Sequence, residues 1–297
     1  MNIALFGREI GENNEKKFKL FIDAVIDKGA DLCFYNEFYN NLPLAILKSI
    51  KKTKLFSSAV DLPEDVDLFL SLGGDGTFLT SLTFVRDRSI PVAGINFGRL
   101  GFLTTAKVEI GDNKWIDDLL NGRFSIEKRA LIKLKSPSVQ KGFYPYAINE
   151  ISIQRQDPVM LSIEVRINGM SLPQYWADGL VIATPTGSTA YSLSVGGPIV
   201  LPDSQVLIIA PIAPHNLNVR PLVVPIDYTL EVIVHSKKRE AIVTMDNRSF
   251  VVASGEKMII SKGEYFFNYV SLFDSNFIGA LNDKLLWGED KRNNSKN

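Results

Sequence analysis

Val66-Asp-Leu-Phe-Leu-Ser71 passes through Leu72 into Gly73-Gly74-Asp75-Gly76-Thr77, and Phe78, Leu79, Leu82 and Val85 follow at helical spacing. A short apolar run, a glycine turn and a 3.6-residue pattern read as strand, turn and helix. Three glycines in four positions let the backbone take conformations that a Cβ forbids. A helix beginning near Thr77 points its first N–H groups back at the turn, and such a turn suits phosphate. Asp75 is the informative residue. A carboxylate there repels a phosphate unless it has a task, such as accepting a hydroxyl proton or holding Mg²⁺. The alternative is a sharp structural turn with Asp75 as the helix N-cap. Neither Gly-x-x-x-x-Gly-Lys-Ser/Thr nor a Gly-x-Gly-x-x-Gly after the first strand is present, so an ordinary P-loop and a Rossmann cofactor site are not signalled.

Outward from this turn, strand and helix patterns alternate. Ile3 to Phe6 is a strand ending at Gly7, and Phe18, Phe21, Ile22 and Val25 share a helix face with Gly29 as C-cap. Leu32 to Tyr35 reads as a strand, Leu44 to Ile50 as a helix and Ile90 to Ile95 as a strand. Alternation of this kind predicts a mostly parallel sheet with helical crossovers. After a short helix at Trp115 to Leu120, the period drops to two. Leu161, Ile163, Val165 and Ile167 alternate with polar residues up to Asn168-Gly169, a tight hairpin turn. Further strands are expected at Ala130 to Lys135, Ala147 to Gln154, Val206 to Ala210, Thr229 to Val234, Glu240 to Met245 and Lys257 to Ser261. Phe277, Leu281 and Leu285 form an apolar helix stripe that must be buried, so this helix is expected to pack back on the first domain. The expected division is an α/β domain of residues 1–103 plus 276–297, carrying the glycine turn, and a β-rich, sandwich-like domain of residues 104–275.

Composition narrows the function. In 297 residues, 33 Lys and Arg balance 33 Asp and Glu. A duplex-binding protein carries a basic excess, so nucleic acid is not an expected partner. Cys33 is the only cysteine, which excludes an intrachain disulfide, and with only His215 and His235 beside it a zinc cage lacks ligands. No apolar run reaches the ~18 residues of a spanning helix, and Arg8-Glu9 interrupts any signal-peptide core. A soluble, reduced, cytoplasmic protein without a membrane partner is expected.

Two later stretches carry chemistry. Asn149 alternates with Ile151 and Ile153, which puts its amide on an apolar face and Glu150 on the other, beside Ser152. The pair could grip sugar hydroxyls, or Asn149 could be satisfied by neighbouring backbone. Asp178-Gly-Leu-Val-Ile-Ala-Thr184 is a buried strand. It leads into Pro185-Thr-Gly187-Ser188-Thr189-Ala190-Tyr191-Ser192-Leu193-Ser194 and then Gly196-Gly197-Pro198. Ser188 or Thr189 could cap a short helix whose hydroxyl-dense start suits an anionic ligand. Tyr191 lies against a flat ring or packs in the core.

Gly73-Gly-Asp-Gly-Thr77, Asn149-Glu150 and Asp178 through Ser194 together resemble the bacterial NAD kinases. Asn96-Phe-Gly-Arg-Leu-Gly-Phe-Leu103, His215-Asn-Leu-Asn-Val-Arg-Pro-Leu222 and the closing Leu285-Leu-Trp287 are also similar. The glycine turn by itself is shared with diacylglycerol kinases and phosphofructokinases; the long turn is far more specific. The resemblance implies NAD bound between the two domains and transfer of the terminal phosphoryl group of ATP to the 2′-hydroxyl of its adenosine ribose, giving NADP. It implies Asp75 as proton acceptor, with Gly73, Gly74, Gly76 and Thr77 as the phosphate turn. Asp75, Gly76, Asn149, Glu150, Asp178, Thr189, Ala190, Tyr191, Ser192, Leu193, Ser194 and Ala213 would contact NAD. It further implies a divalent cation, Mg²⁺, and a homo-oligomer in which a neighbouring subunit supplies some contacts. One departure stands at Arg248, where the family commonly presents glutamine. This arginine could reach a phosphate or face solvent. His215 and Arg220 are read as a structural hydrogen-bonding pair. The competing readings are a lipid or sugar kinase sharing only the glycine turn, and a non-catalytic NAD(P)-sensing module.

Overall fold

The computed structural model describes residues 1–50, 53–98, 101–111, 114–237, 240–272 and 277–285. Two compact units emerge: Met1–Glu127 together with the chain from Asn268 onward, and Lys128–Phe267. These boundaries differ from 103/104 and 275/276. Trp115, on the helix Lys114–Leu120, stacks on Phe21 at 5.8 Å, which ties that helix to the first unit. At the other crossing, Tyr269 pairs with Val92, so the end of the strand Lys257–Ser271 also belongs there.

In the first unit, five parallel strands run in the order Val92–Asn96, Leu68–Leu72, Asn2–Gly7, Asp31–Tyr35 and Lys54–Phe56. The expected helix stripe is real: Phe18, Phe21, Ile22 and Val25 are all buried on the helix Glu15–Asp27. Gly29 takes a left-handed conformation just past its end. The strand order reverses between Asn2–Gly7 and Leu68–Leu72. In open α/β sheets ligands settle beyond the carboxyl ends of the strands at such a reversal, and the glycine turn follows Leu72 there. The helix after Pro43 is shorter than expected, Leu44–Leu47, and is preceded by a further helix, Asn36–Asn40. From the far end of the chain, the helix Phe277–Leu285 buries Leu281 in this unit. It faces Phe102 through Phe277, ring centroids 6.5 Å apart, and through Lys284, whose ammonium donates to the Gly101 carbonyl.

The second unit is antiparallel. Leu222–Pro225, Val206–Ile212, Gly179–Ala183, Glu150–Gln154, Glu240–Met245 and Arg248–Ala253 form one six-stranded sheet in that order. Leu161–Ile167, Leu230–His235 and the start of Lys257–Ser271 pair in the other. Inward residues of both layers, among them Ile151, Ile153, Leu180, Ile163, Val165 and Val232, share one apolar core. Asn168 and Gly169 both have positive φ, as the tight hairpin turn requires. The expected strand Ala147 to Gln154 is broken: Tyr146–Ala147 and Glu150–Gln154 are separate strands.

Candidate active site

The helix after the glycine turn spans Asp75–Val85, two residues earlier than expected. Gly74 is its N-cap, and the N–H groups of Thr77 and Phe78 return to the Gly74 carbonyl at 3.0 and 3.1 Å. Asp75 is therefore the first helical residue and caps nothing, contrary to the N-cap reading. Its carboxylate turns toward a neighbouring loop instead: Oδ2 accepts the Phe102 N–H at 2.8 Å and Oδ1 the Leu103 N–H at 3.0 Å. A Cβ on Gly101 would sit far inside contact distance of the Asp75 carboxylate, so only glycine permits this approach. The loop is itself held, with the Gly101 N–H on Thr104 Oγ1 at 2.9 Å and the Lys284 ammonium 4.5 Å from the Phe102 ring centroid. That loop role was not readable in the sequence; only the close spacing of Gly98 and Gly101 hinted at a tight approach. Arg99, Leu100, Leu286 and Trp287 lie outside the described residues.

In the second unit the Asn149-Glu150 pair and the long turn come together. Thr184 N–H donates to the Asn149 carbonyl at 2.9 Å, and Thr184 Oγ1 to the Ile148 carbonyl at 2.5 Å. Gly187 passes so close to the Asn149 backbone that a Cβ would overlap it. The turn forms a 3-10 stretch, Thr186–Thr189, and one helical turn, Tyr191–Ser194, with Ala190 between them. Neither Ser188 nor Thr189 caps it. Ser188 Oγ bridges the Val200 N–H and carbonyl, and Thr189 Oγ1 reaches back to the Thr186 carbonyl at 3.4 Å. Tyr191 is half-buried against Val181, Ala183, Ile208 and Ala210, partway between the two readings of its ring. Leu193 is half-buried and Ser194 exposed.

This corner gathers several unsatisfied polar atoms. Among the described residues, Asn149 Oδ1, Glu150 Oε2, Thr186 Oγ1 and Ser192 Oγ are buried without a hydrogen-bond partner. Each such group costs about 1–3 kcal/mol unless something arrives to satisfy it. Burial, and secondly the charge of Asp246, push the Glu150 carboxyl up to about 8, against the pull of the Tyr191 N–H. At neutral pH it is largely protonated, and so able both to donate and to accept.

Asp178 and Ala213 stand apart from that cluster. The Asp178 N–H bonds the Ile212 carbonyl at 2.9 Å, and the Asp178 carboxylate pairs with Arg155 at 2.9 Å, a partner the sequence did not announce. In the register, Gly179 faces Gln154 and Ala183 faces Glu150. At ~3.3 Å per residue along the strand and ~4.8 Å between strands, that register puts Asp178 roughly 17 Å from Glu150. Ala213 is exposed and has a positive φ of 44°. Arg248 is half-buried: it donates to the Tyr144 and Tyr146 carbonyls at 2.6 and 2.5 Å, while its Nε finds no partner among the described residues. His215 and Arg220 do not pair; the His215 N–H bonds the Trp176 carbonyl, and Arg220 binds the Leu217 and Val219 carbonyls.

Among the described residues no group of three or more His, Cys, Asp and Glu is placed to hold a metal ion. A cavity of about 290 Å³ in the first unit, lined by Asn2, Asp31, Cys33, Lys54 and Asp65, opens at the amino ends of its strands. That is the end of the sheet away from the glycine turn, so it is not part of this chemistry.

A parallel sheet thus delivers a carboxylate into a glycine turn at a helix start, in a chain with a β-rich second unit. Residues 36–124 match the family model described as ATP-NAD kinase N-terminal domain, and residues 148–272 that of the ATP-NAD kinase C-terminal domain. The chain belongs to the NAD kinase family. It is 38% identical over 296 residues to an NAD kinase of Christiangramia forsetii, covering 99% of this chain and all of that one. The crystal structure of yeast NADH kinase complexed with NADH shares the fold, with a TM-score of 0.81 at 22% identity over 98% of this chain and 89% of that one. The structure of an NAD kinase from Archaeoglobus fulgidus in complex with ATP is similar at a TM-score of 0.72 and 26% identity, over 96% and 99% of the two chains.

Proposed function

We propose that the protein transfers the terminal phosphoryl group of ATP to the 2′-hydroxyl of the adenosine ribose of NAD, releasing ADP and NADP. Asp75 accepts the hydroxyl proton as the new P–O bond forms, and Gly73, Gly74, Gly76 and Thr77 cradle phosphate at the helix start. Asn149, Glu150, Thr189, Ala190, Tyr191, Ser192, Leu193 and Ser194 hold the dinucleotide, joined by Thr186. The observation that carries this reading is the group of buried, unpartnered oxygens on Asn149, Glu150, Thr186 and Ser192. Ribose hydroxyls and amide groups are the partners they lack.

Asp178 and Ala213 lie a strand's length from that cluster, which fits an oligomer in which a second copy brings them to the same NAD. Arg248, with two donors already on backbone carbonyls, is better assigned to holding the site than to touching NAD. Mg²⁺ enters with ATP as part of the substrate, since phosphates supply most of its ligands. Phosphoryl transfer relies on such a cation to neutralise charge on the transferring group. No helix among the described residues is long and apolar enough to cross a membrane, and we place the protein in the cytoplasm.

A coupled assay tests the reading: NADP should form from NAD, ATP and Mg²⁺. Polyphosphate in place of ATP, and NADH in place of NAD, define donor and acceptor. Folded protein that binds NAD without forming NADP would make it a sensor. Phosphorylation of a lipid or sugar in place of NAD would make it a kinase sharing only the glycine turn.

A further inference from the structure

The hairpin Glu240–Met245 to Arg248–Ala253 turns at Asp246-Asn247, and the Asp246 side chain is fully buried. Its two oxygens accept three successive backbone N–H groups: Ile148 on Oδ2 at 2.9 Å, and Asn149 and Glu150 on Oδ1 at 2.8 and 3.3 Å. The Asp246 N–H returns to the Glu150 carbonyl at 3.0 Å. Two residues on, Arg248 binds the Tyr144 and Tyr146 carbonyls and lies 5.4 Å from the centroid of the Phe143 ring. One hairpin tip thus grips the chain from residue 144 to residue 150.

The gripped stretch contains the break between the strands Tyr146–Ala147 and Glu150–Gln154. Where a strand is interrupted, the ladder no longer dictates which face each side chain takes, and a slip of one residue exchanges the faces. Asp246 replaces the missing ladder bonds with a carboxylate that reads three amides at once. It does so at a positive φ of 54°, a conformation uncommon outside glycine and tolerated best by Asp and Asn. Burial pushes the Asp246 carboxyl up, and those N–H groups, with the nearby Arg248 charge, offset that cost only in part.

We propose that Asp246 is a positioning residue that sets the Asn149-Glu150 pair, with Arg248 as the second anchor of the same clamp. The proposal rests on the NAD kinase reading only for what the pair then binds. Asp246 touches no substrate; it fixes the backbone from which Asn149 Oδ1 and Glu150 Oε2 are presented. Arginine at position 248 serves this purpose through its two-pronged reach to two carbonyls, which lysine cannot copy.

The test uses full-length Asp246→Asn and Arg248→Lys, with two readouts. Amide hydrogen exchange of the ligand-free protein should speed up at Ile148, Asn149 and Glu150 in both. In the coupled assay, KM for NAD should rise about ten- to a hundredfold for Asp246→Asn, as expected for lost charge-assisted hydrogen bonds. KM for ATP and kcat should stay within a few-fold, and Arg248→Lys should give the same pattern more weakly. If Asp246→Asn does not fold, Arg248→Lys carries the test alone. Faster exchange with KM for NAD unchanged would overturn the proposal. So would a raised KM in Arg248→Lys with exchange at 144–150 unaltered, because Arg248 would then be touching NAD itself. Absence of NADP formation by the wild type would refute the kinase reading instead, and the exchange readout would still report on the clamp.

Discussion

Asp75 uses one lone pair of each carboxylate oxygen on a backbone amide, and no other donor among the described residues takes the second. The residue is thus aimed without being saturated, which is what a proton acceptor needs. Asp75→Asn keeps the shape and loses the basicity. Turnover should fall on the order of 10²–10⁴-fold, with NAD affinity little changed. Partial recovery at high Mg²⁺ would make Asp75 a metal ligand, and turnover within a few-fold of wild type would remove it from the chemistry. Glu150 makes a prediction of a different kind. Its folded pKa of about 8 lies above the ordinary 4.5, so between those values the folded protein holds a proton that the unfolded chain releases. Stability therefore declines as pH rises through that window and levels off above it, each pKa unit being worth about 1.4 kcal/mol. Glu150→Gln carries no such penalty. Its melting temperature relative to wild type should climb from pH 4.5 to pH 8, even as KM for NAD worsens. A difference independent of pH would mean that Glu150 stays ionised. Asp75, Asn149 and Glu150 were legible in the sequence as residue types in a pattern. Asp246 was not, because its partners are backbone amides nearly a hundred residues away.

The loop Gly101 to Leu103 is the smallest element on which the placement of the Asp75 carboxylate depends. In Gly101→Ala the new methyl group cannot coexist with the Asp75 carboxylate, and one of them must move. A displacement of about 1 Å near reacting groups costs about a hundredfold in rate, so kcat should drop by that order. Gly98→Ala is the control: among the described residues its Cβ would meet only Asn96 Oδ1, at 3.7 Å, and activity should survive. Equal losses in the two variants would mean that the loop matters for stability alone. At this scale, long periodic segments were readable and short or exceptional ones were not. The helix face of Phe18, Phe21, Ile22 and Val25 is a period strong enough to stand without tertiary help. Lys54–Phe56 is three residues long, too short for any period to register, and exists because its neighbour Asp31–Tyr35 templates it. The helix start at Asp75 was misplaced by two residues because cap preferences speak for side-chain caps, and here a glycine without one takes the position.

For the molecule as a whole, if Asp178 and Ala213 serve the NAD held by another copy, the ligand must favour the assembled form. Anything that binds only the assembled state shifts that equilibrium by mass action. Sedimentation should show NAD raising the oligomer fraction at micromolar protein, and a monomer with normal turnover would defeat the shared site. The chain's route carries another consequence. The first unit is not closed by its own first 127 residues: its sheet is finished by Tyr269 beside Val92, with Val270 fully buried and its carbonyl taken by Thr105 Oγ1 at 2.8 Å. On the ribosome those residues emerge only after residues 128–267 have been made. At 5–20 residues per second, that is a delay of roughly 7–28 s. The second unit, by contrast, is one continuous stretch, Lys128–Phe267. The half of the protein that is synthesised first is therefore the last able to finish folding: through that interval Ile95 and Asn96 already pair with Ala106 and Lys107, while Val92 waits for Tyr269 and stays open on that side to other chains or to chaperones. A chain halted at residue 267 should show native hydrogen-exchange protection in residues 128–267 and reduced protection at Val92 and Thr105, whose partners are Tyr269 and Val270; full protection at both would show that the early half completes itself without its final strand.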